Sequence, residues 1–394
     1  MDELLMLSNS PGEVSGWVMP VAAAFAKLNA GARVTLTTLP CQYASGLEAS
    51  CARGMEGIDE ANSFRSVWKR PAGGGRTLVL QLGGDPMFGA LLKARTRGGW
   101  MIYTSRPRWR SLVDRFFLPD ERAASRFEAR GVARRKYAVV GNLILDSVPA
   151  CAAQAEARSL LGLDQDGAVV SFLVGSRPFE YMAGLPFFIR AAQLLAASFA
   201  NFTALLPLAP TADEELMRGC MSRAGLKWRG ADSFEEIVWE GQGRSRIRFV
   251  RGHTFEAIGA SDLAIALPGT NNLQIAALGV PLLMVAPLNE AENIPLDGLA
   301  GSMPLPPRLK KRLVLWYNDR EKYLSLPNRL TGADIVPEHR CIMTPETVAR
   351  LAAGLLSSPR KLDEIREGYK KVPLAKGAAA RIAAAAADFF REKV

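Results

Sequence analysis

Two short turns in this chain carry residue types suited to holding an oxyanion. In "FLVGSRPFEY", Gly175, Ser176 and Arg177 follow an apolar run. An Arg beside a small-residue turn can neutralise a diphosphate through bidentate contacts. In "LPGTNNLQIAALGVP", Gly269, Thr270, Asn271 and Asn272 open a helix between two apolar runs. There the first N–H groups and the positive end of the helix dipole suit a phosphate. Plainer readings stand beside both: Thr270 or Asn271 caps the helix, and Arg177 is a solvated residue paired with Glu180. Two more turns, "SNSPGEVSGW" and "LQLGGDPMFG", place Glu13 and Asp85 after apolar runs, with Gly12, Gly83 and Gly84 allowing close backbone approach. A carboxylate in such a place can accept a proton from a hydroxyl nucleophile. Alternatively, Asp85 caps a helix over 87–95 and Glu13 is a first-turn charge favoured by the dipole.

Only two histidines exist. His253 opens a helix after an apolar run, where it lines a nucleotide pocket or serves as a cap, and His339 has no partner that suggests a metal. The chain lacks H-E-x-x-H, G-x-x-x-x-G-K-[ST] and a well-placed G-x-G-x-x-G. Metal-dependent, ATPase and dehydrogenase chemistries therefore find no support, and no cofactor is expected.

The elements that must position these residues alternate short apolar runs with helical patterns, the signature of parallel β-α-β construction. Strands are expected over 3–7, 33–37, 77–82, 100–104 and 137–140, with helices over 14–28 and 120–130 and a glycine-rich loop over 71–76. The rhythm restarts with strands over 169–174, 202–208, 247–250, 263–267 and 281–285, and a helix over 271–278. The fold class is α/β, with two Rossmann-like parallel-sheet domains facing across a cleft, over 1–149 and 150–374. The alanine-rich segment 375–394 should be a helix that packs back on the first domain.

Composition agrees. A chain of 394 residues, 48% hydrophobic and 22% charged, has material for two cores. Its net charge of +10 favours anionic partners. Five scattered cysteines without C-x-x-C spacing point to a reducing compartment. The acidic start lacks the pattern of a signal peptide, and no apolar run is long enough to span a membrane. The basic stretches "YTSRPRWRSLVDRFF" and "PPRLKKRLVLWYNDREKY" mix aromatic and apolar residues, as a membrane-facing surface does and as ordinary amphipathic helices packed on a core also do; nucleic-acid binding is a further reading, but no recognised module accompanies it.

Six segments, in order, resemble motifs of the lipid-A-disaccharide synthases, family-19-like inverting glycosyltransferases of the GT-B fold. "PGEVSG" is similar to A-G-E-x-S-G, "YTSRPRWR" to Y-x-S-P-x-x-W-x-W and "VVGNLILD" to V-G-H-P-L-x-D. "FLVGSRPFE" is similar to L-P-G-S-R-x-x-E, "LPGTNNLQIAALGVP" to S-G-T-x-x-L-E-x-x-L-x-x-x-P, and "LSLPNRLTGADIVPE" to S-L-P-N-x-L-x-x-x-x-x-V-P-E. The resemblance implies a UDP-sugar donor of N-acyl-glucosamine type on the second domain, near Ser176, Arg177, His253 and Thr270, with Asn328 close by. It implies a glycolipid acceptor on the first domain near Gly12, Ser15 and Arg106, Asp85 as general base with Glu13 beside it, and no metal. A cytoplasmic protein, peripheral on the inner face of the membrane and compatible with a homodimer, is the implied setting. Three residues depart from the pattern: Gln274 replaces a Glu expected on ribose hydroxyls, Trp17 an Asp, and Asn142 a His. A UDP-sugar 2-epimerase and a non-catalytic nucleotide-sugar-binding relative are the alternative readings.

Overall fold

Apolar runs buried on both faces form the centre of each of two units in the computed structural model, which describes residues 1–28, 30–40, 48–70, 74–150, 153–228, 235–294 and 306–391. The first unit comprises Met1–Ser147 with Leu374–Val394, the second Val148–Pro373.

In the first unit, β1 (Glu3–Ser8), β2 (Arg33–Thr38), β3 (Glu60–Ser63), β4 (Thr77–Gln81), β5 (Gly99–Tyr103), β6 (Arg115–Leu118) and β7 (Tyr137–Val139) form one parallel sheet. Its order is β3-β2-β1-β4-β5-β6-β7. Side chains alternate across a strand. Leu4, Met6, Leu78 and Leu80 therefore enter one core with Val18, Val21 and Phe25, while Leu5, Leu7 and Val79 enter the other with Trp100, Phe116 and Phe127.

The helix expected over 14–28 is instead interrupted. A short α-helix, Pro11–Glu13, passes into a π-helical turn, Val14–Val18, and then into Met19–Ala26. Pro20 is the reason: it has no N–H, and its ring would press on the carbonyl four residues back. The wider turn, in which the Met19 N–H reaches the Val14 carbonyl, accommodates it.

The helix Ala378–Arg391 completes the first core with Ile382, Ala386 and Phe390. Both its ends are tied down. At the start, Asp146 accepts from the Gly377 and Ala379 N–H groups at 2.6 and 2.7 Å. At the finish, the Arg76 guanidinium donates to the Phe389 and Phe390 carbonyls while also pairing with Asp2.

The second unit repeats the plan. Strands β8 (Ala168–Leu173), β9 (Phe202–Leu208), β10 (Glu235–Glu240), β11 (Arg246–Arg251), β12 (Leu263–Ala266), β13 (Leu282–Pro287) and β14 (Glu338–Cys341) form a sheet ordered β10-β11-β9-β8-β12-β13-β14. All pairs are parallel except β10 with β11. The long helix Pro178–Ala196 covers one face, and its Phe188 ring lies 5.6 Å from Phe172 on β8. The α/β class of two Rossmann-like parallel sheets is thus observed. Within the loop expected over 71–76, residues 71–73 lie outside the described residues, as do Cys41 and Cys151. Cys51, Cys220 and Cys341 are in no disulfide.

Candidate functional site

Open parallel sheets bind ligands beyond the carboxyl ends of their strands, where the strand order reverses. Those points lie between β1 and β4 in the first unit and between β8 and β12 in the second. All four turns singled out by residue type leave the sheets there.

In the first unit, Ser10 accepts the Glu13 N–H at 3.4 Å and starts the helix. The Glu13 carboxylate then turns back over the end of β1. Its Oε2 accepts from Ser8 Oγ and the Asn9 N–H, both at 3.3 Å. It also rests on the turn after β4: a Cβ at Gly83 would sit 2.0 Å from Glu13 Oε2, so a larger residue there would push the carboxylate aside. Gly84, at φ +76°, completes that turn in a conformation that glycine adopts without strain. The turn is held from below by Gln81, whose buried Nε2 donates to the Gly83, Gly84 and Asp85 carbonyls at 3.1, 3.3 and 2.9 Å.

Asp85 is exposed and caps the helix Pro86–Thr96, its Oδ1 accepting the Met87 N–H at 2.8 Å. Sequence reasoning passed over Gln81. Its signal is one polar residue inside the buried run "LVLQLGG".

Among the acceptor-side candidates, Gly12 lies on the first turn, and Ser15 Oγ donates to the Pro11 and Gly12 carbonyls at 3.0 and 3.4 Å. Arg106 is exposed in the loop after β5, its N–H bonded to Thr104 Oγ1 at 3.1 Å. Trp17 and Asn142, far apart in sequence, meet around Tyr103. The Trp17 ring is edge-on to Tyr103 at 5.5 Å, and the Tyr103 hydroxyl donates to the Gly141 carbonyl and accepts from the Leu143 N–H, both at 3.3 Å. Burial pushes this phenol above its ordinary range. Asn142 Oδ1 accepts the Ile144 N–H at 3.2 Å, and the Trp17 indole N–H is buried without a hydrogen-bond partner.

In the second unit, Gly175 leaves β8 at φ +95°. Here too a glutamate folds back. Glu180 Oε2 accepts from the Ser176 and Arg177 N–H groups at 2.8 and 3.0 Å, and its Oε1 lies 3.8 Å from Arg177 Nη1. Burial raises the Glu180 carboxyl above its ordinary value, against the opposing pull of Arg177 and the two N–H donors. The Ser176 carbonyl is anchored by Thr211 Oγ1 at 3.1 Å.

On the neighbouring strand, Gly269 and Thr270 precede the helix Asn271–Ala277. Thr270 occupies the N-cap position without a side-chain capping bond. Asn272 is fully buried and donates to the Leu267 carbonyl at 3.0 Å and to Asn271 Oδ1 at 3.1 Å. Gln274 follows on the same helix, half-buried. His253 sits at the N-cap position of the helix Thr254–Gly259, beyond β11, with Nδ1 3.7 Å from Glu256 Oε2. It is therefore two strands away from the reversal.

Asn328 is committed to the fold. Its Nδ2 donates to the Val336 carbonyl and Glu338 Oε2 at 3.0 and 3.2 Å, and its Oδ1 accepts from the Ile335 and Val336 N–H groups at 2.8 and 2.9 Å. Glu338 in turn accepts from the Leu324 and Ser325 N–H groups at 2.7 and 3.1 Å. The stretch "LSLPNRLTGADIVPE" is thus one closed hydrogen-bond network, which packs its helix Leu326–Thr331 against Asn271–Ala277.

The family model described as lipid-A-disaccharide synthetase matches residues 116–294. The lipid-A-disaccharide synthase of Syntrophus aciditrophicus (strain SB) is 28% identical over 229 residues, 58% of this chain and 50% of that protein. That of Myxococcus xanthus (strain DK1622) is 30% identical over 243 residues, covering 60% and 52%. The chain spans about half the length of these curated relatives. Among solved structures, a putative UDP-N-acetylglucosamine 2-epimerase from Listeria monocytogenes aligns over 100% of this chain and 97% of its own, with TM-score 0.53 and 14% identity. The S. aureus MnaA–UDP co-structure aligns over 97% and 94%, with TM-score 0.55 and 12% identity. At such identities the likeness speaks for the fold, a two-domain α/β architecture of GT-B type.

Proposed function

We propose that this chain, a divergent relative of the lipid-A-disaccharide synthases, is a glycosyltransferase that moves a sugar of N-acyl-glucosamine type from a UDP-sugar donor to a lipid-linked sugar acceptor, with inversion. The observation that carries the reading is the turn after β8, where two N–H groups and a guanidinium converge on one carboxylate at the reversal point of the sheet. A turn already organised around an oxyanion is suited to a nucleotide diphosphate. Arg177 has five N–H donors in a planar fork. In this reading it meets the diphosphate, with Ser176 and the Gly269–Thr270–Asn271 turn beside it and the Gln274 amide accepting from a ribose hydroxyl.

The chemistry is a single displacement at the anomeric carbon. Asp85 accepts the proton of the attacking hydroxyl, the new glycosidic bond forms as the bond to the diphosphate breaks, and the negative charge that builds on the departing UDP is met by Arg177. Glu13 holds the Gly83–Gly84 turn that presents Asp85. A lipid-linked acceptor places the protein at the surface of a membrane; among the described residues no helix is long and apolar enough to cross one.

A thermal-shift titration with UDP, UDP-N-acetylglucosamine, ADP, GDP and TDP tests the donor half of this reading. At 100 times its dissociation constant a ligand adds about 2.7 kcal/mol, which moves melting by several degrees. A uridine-selective shift that Arg177→Ala abolishes is expected. Release of UDP only when a glycolipid acceptor is present separates a transferase from an epimerase, and no shift with any nucleotide would overturn the proposal.

A further inference from the structure

The helix Pro307–Arg320 of the second unit is apolar on the side facing away from its core. Its inner face is accounted for. Val314 packs with Leu288 and Ala291, Asn318 is buried, and Lys311 pairs with Glu292 at 3.3 Å. The outer face carries Leu309, Leu313, Trp316 and Tyr317, exposed by 45, 37, 53 and 58%. At 3.6 residues per turn these four occupy roughly 100° of arc. Lys310 borders that arc on one side and Arg312 on the other, and the Arg320 guanidinium lies 4.2 Å over the Trp316 ring. Five cations, Arg308, Lys310, Lys311, Arg312 and Arg320, stand against one acid, Asp319.

Isolated exposed apolar residues are ordinary, whereas a contiguous stripe bordered by cations marks an interaction surface. Two features select the partner. Trp and Tyr side by side with Leu suit the headgroup zone of a bilayer, where one end of each ring is wet and the other is not. The flanking Lys and Arg can lay their aliphatic stems along the apolar stripe and bring their charges to anionic headgroups.

We propose that Pro307–Arg320 is a docking helix that lies in the surface of an anionic lipid bilayer, with Leu309, Leu313, Trp316 and Tyr317 entering the headgroup boundary and Lys310, Arg312 and Arg320 meeting acidic lipid. This deepens the proposed function, since it rests on an acceptor that is itself held in a membrane, and it names the element that reaches that membrane.

The test is co-sedimentation of the full chain with vesicles of phosphatidylcholine alone and of phosphatidylcholine mixed with phosphatidylglycerol. The protein should bind the mixed vesicles, bind the neutral ones far more weakly, and be released by salt. Lys310→Gln with Arg312→Gln should weaken binding roughly tenfold or more, and so should the triple change Leu313→Ser, Trp316→Ser and Tyr317→Ser. Both variants should melt as the parent does and keep its response to UDP, because none of these side chains is buried or lies in the candidate site. Absence of binding to the mixed vesicles, or binding unchanged in both variants, would overturn the proposal. So would a lipid-free dimer that the triple change turns into monomers, which would assign the stripe to a second copy of the chain. Vesicle binding without any uridine response would leave the docking helix standing and remove the transferase reading; the reverse result would remove only the helix.

Discussion

The two reversal points are built alike and finished differently. Each has a glutamate on the helix after its first strand, and each glutamate turns back to the end of that strand against a glycine. In the first unit the carboxylate bonds to the end of β1 and lies against Gly83 after β4, in the turn that Gln81 holds and that carries Asp85. In the second it closes on its own turn and has Arg177 beside it. An exposed carboxylate at the end of a strand suits proton acceptance. A carboxylate sharing N–H groups and a guanidinium suits the holding of anions. In the proposed reading, the same supersecondary plan yields a proton-accepting turn in one unit and an anion-holding turn in the other, through the placement of one Asp and one Arg.

The largest expected effects fall on that division of labour. Asp85→Asn keeps a good N-cap, so stability should stay within about 0.5 kcal/mol and the response to UDP should be intact, while turnover falls roughly 10²–10⁴-fold. Turnover at the parental rate would remove Asp85 as base and break the contrast. Arg177→Ala should cost both, with the uridine-selective shift gone and turnover down about 10²–10³-fold.

Next come the two glycines, compared by denaturant melts. Gly175→Ala meets both a left-handed backbone and Glu180 Oε2, which would lie 2.1 Å from the new Cβ, and should destabilise by about 1–3 kcal/mol. Gly83→Ala meets only the end of the Glu13 side chain and should cost less, about 1 kcal/mol. In a Glu13→Ala background the Gly83 penalty should vanish, whereas the Gly175 penalty should persist in Glu180→Ala because its backbone conformation is unchanged. Equal rescue at both positions would show that the two turns are held in the same way.

The smallest effect concerns pH. Since burial raises the Glu180 carboxyl, its folded value lies above its unfolded one. Its stabilising contribution is therefore present at low pH and is lost as pH rises through the folded value. Glu180→Gln does not titrate there, so its stability should gain on the parent as pH rises from the ordinary glutamate range. A gap constant over that rise would place the group on the same footing as an ordinary exposed glutamate.

Central strands were legible because both of their faces are buried, so they read as unbroken apolar runs. β3, β10 and β14 were not: they are edge strands, and those over Glu60–Ser63 and Glu338–Cys341 bury one residue or none. β6 was missed because its first residues, Arg115 to Phe117, close the Arg-rich stretch "YTSRPRWRSLVDRFF", which reads as a surface. At the site, the turns could be found from glycine and charge, since those residue types carry the requirement themselves. The fold-back of Glu13 onto Gly83 could not, because it depends on which strand lies next to β1. Nor could the burial of Asn328, which reads as a ligand-facing amide until its partners at 335–338 are in place.

The helix Ala378–Arg391 sets a timetable for the chain. Asp146 and the Gly377 N–H that it binds are 231 residues apart in sequence, with the whole second unit between them. Domains generally fold as units while a chain is being synthesised, the N-terminal one first. Here that order should be inverted: the second unit has all its strands once Cys341 has emerged, whereas the first must wait for Ile382 and Phe390 to complete its core. Prior folding of the second unit then replaces a long floppy loop with a compact insert, so the final closure brings together ends that are already tethered. Until that step, holdase chaperones should find the earlier-made unit, rather than the later one, as their client.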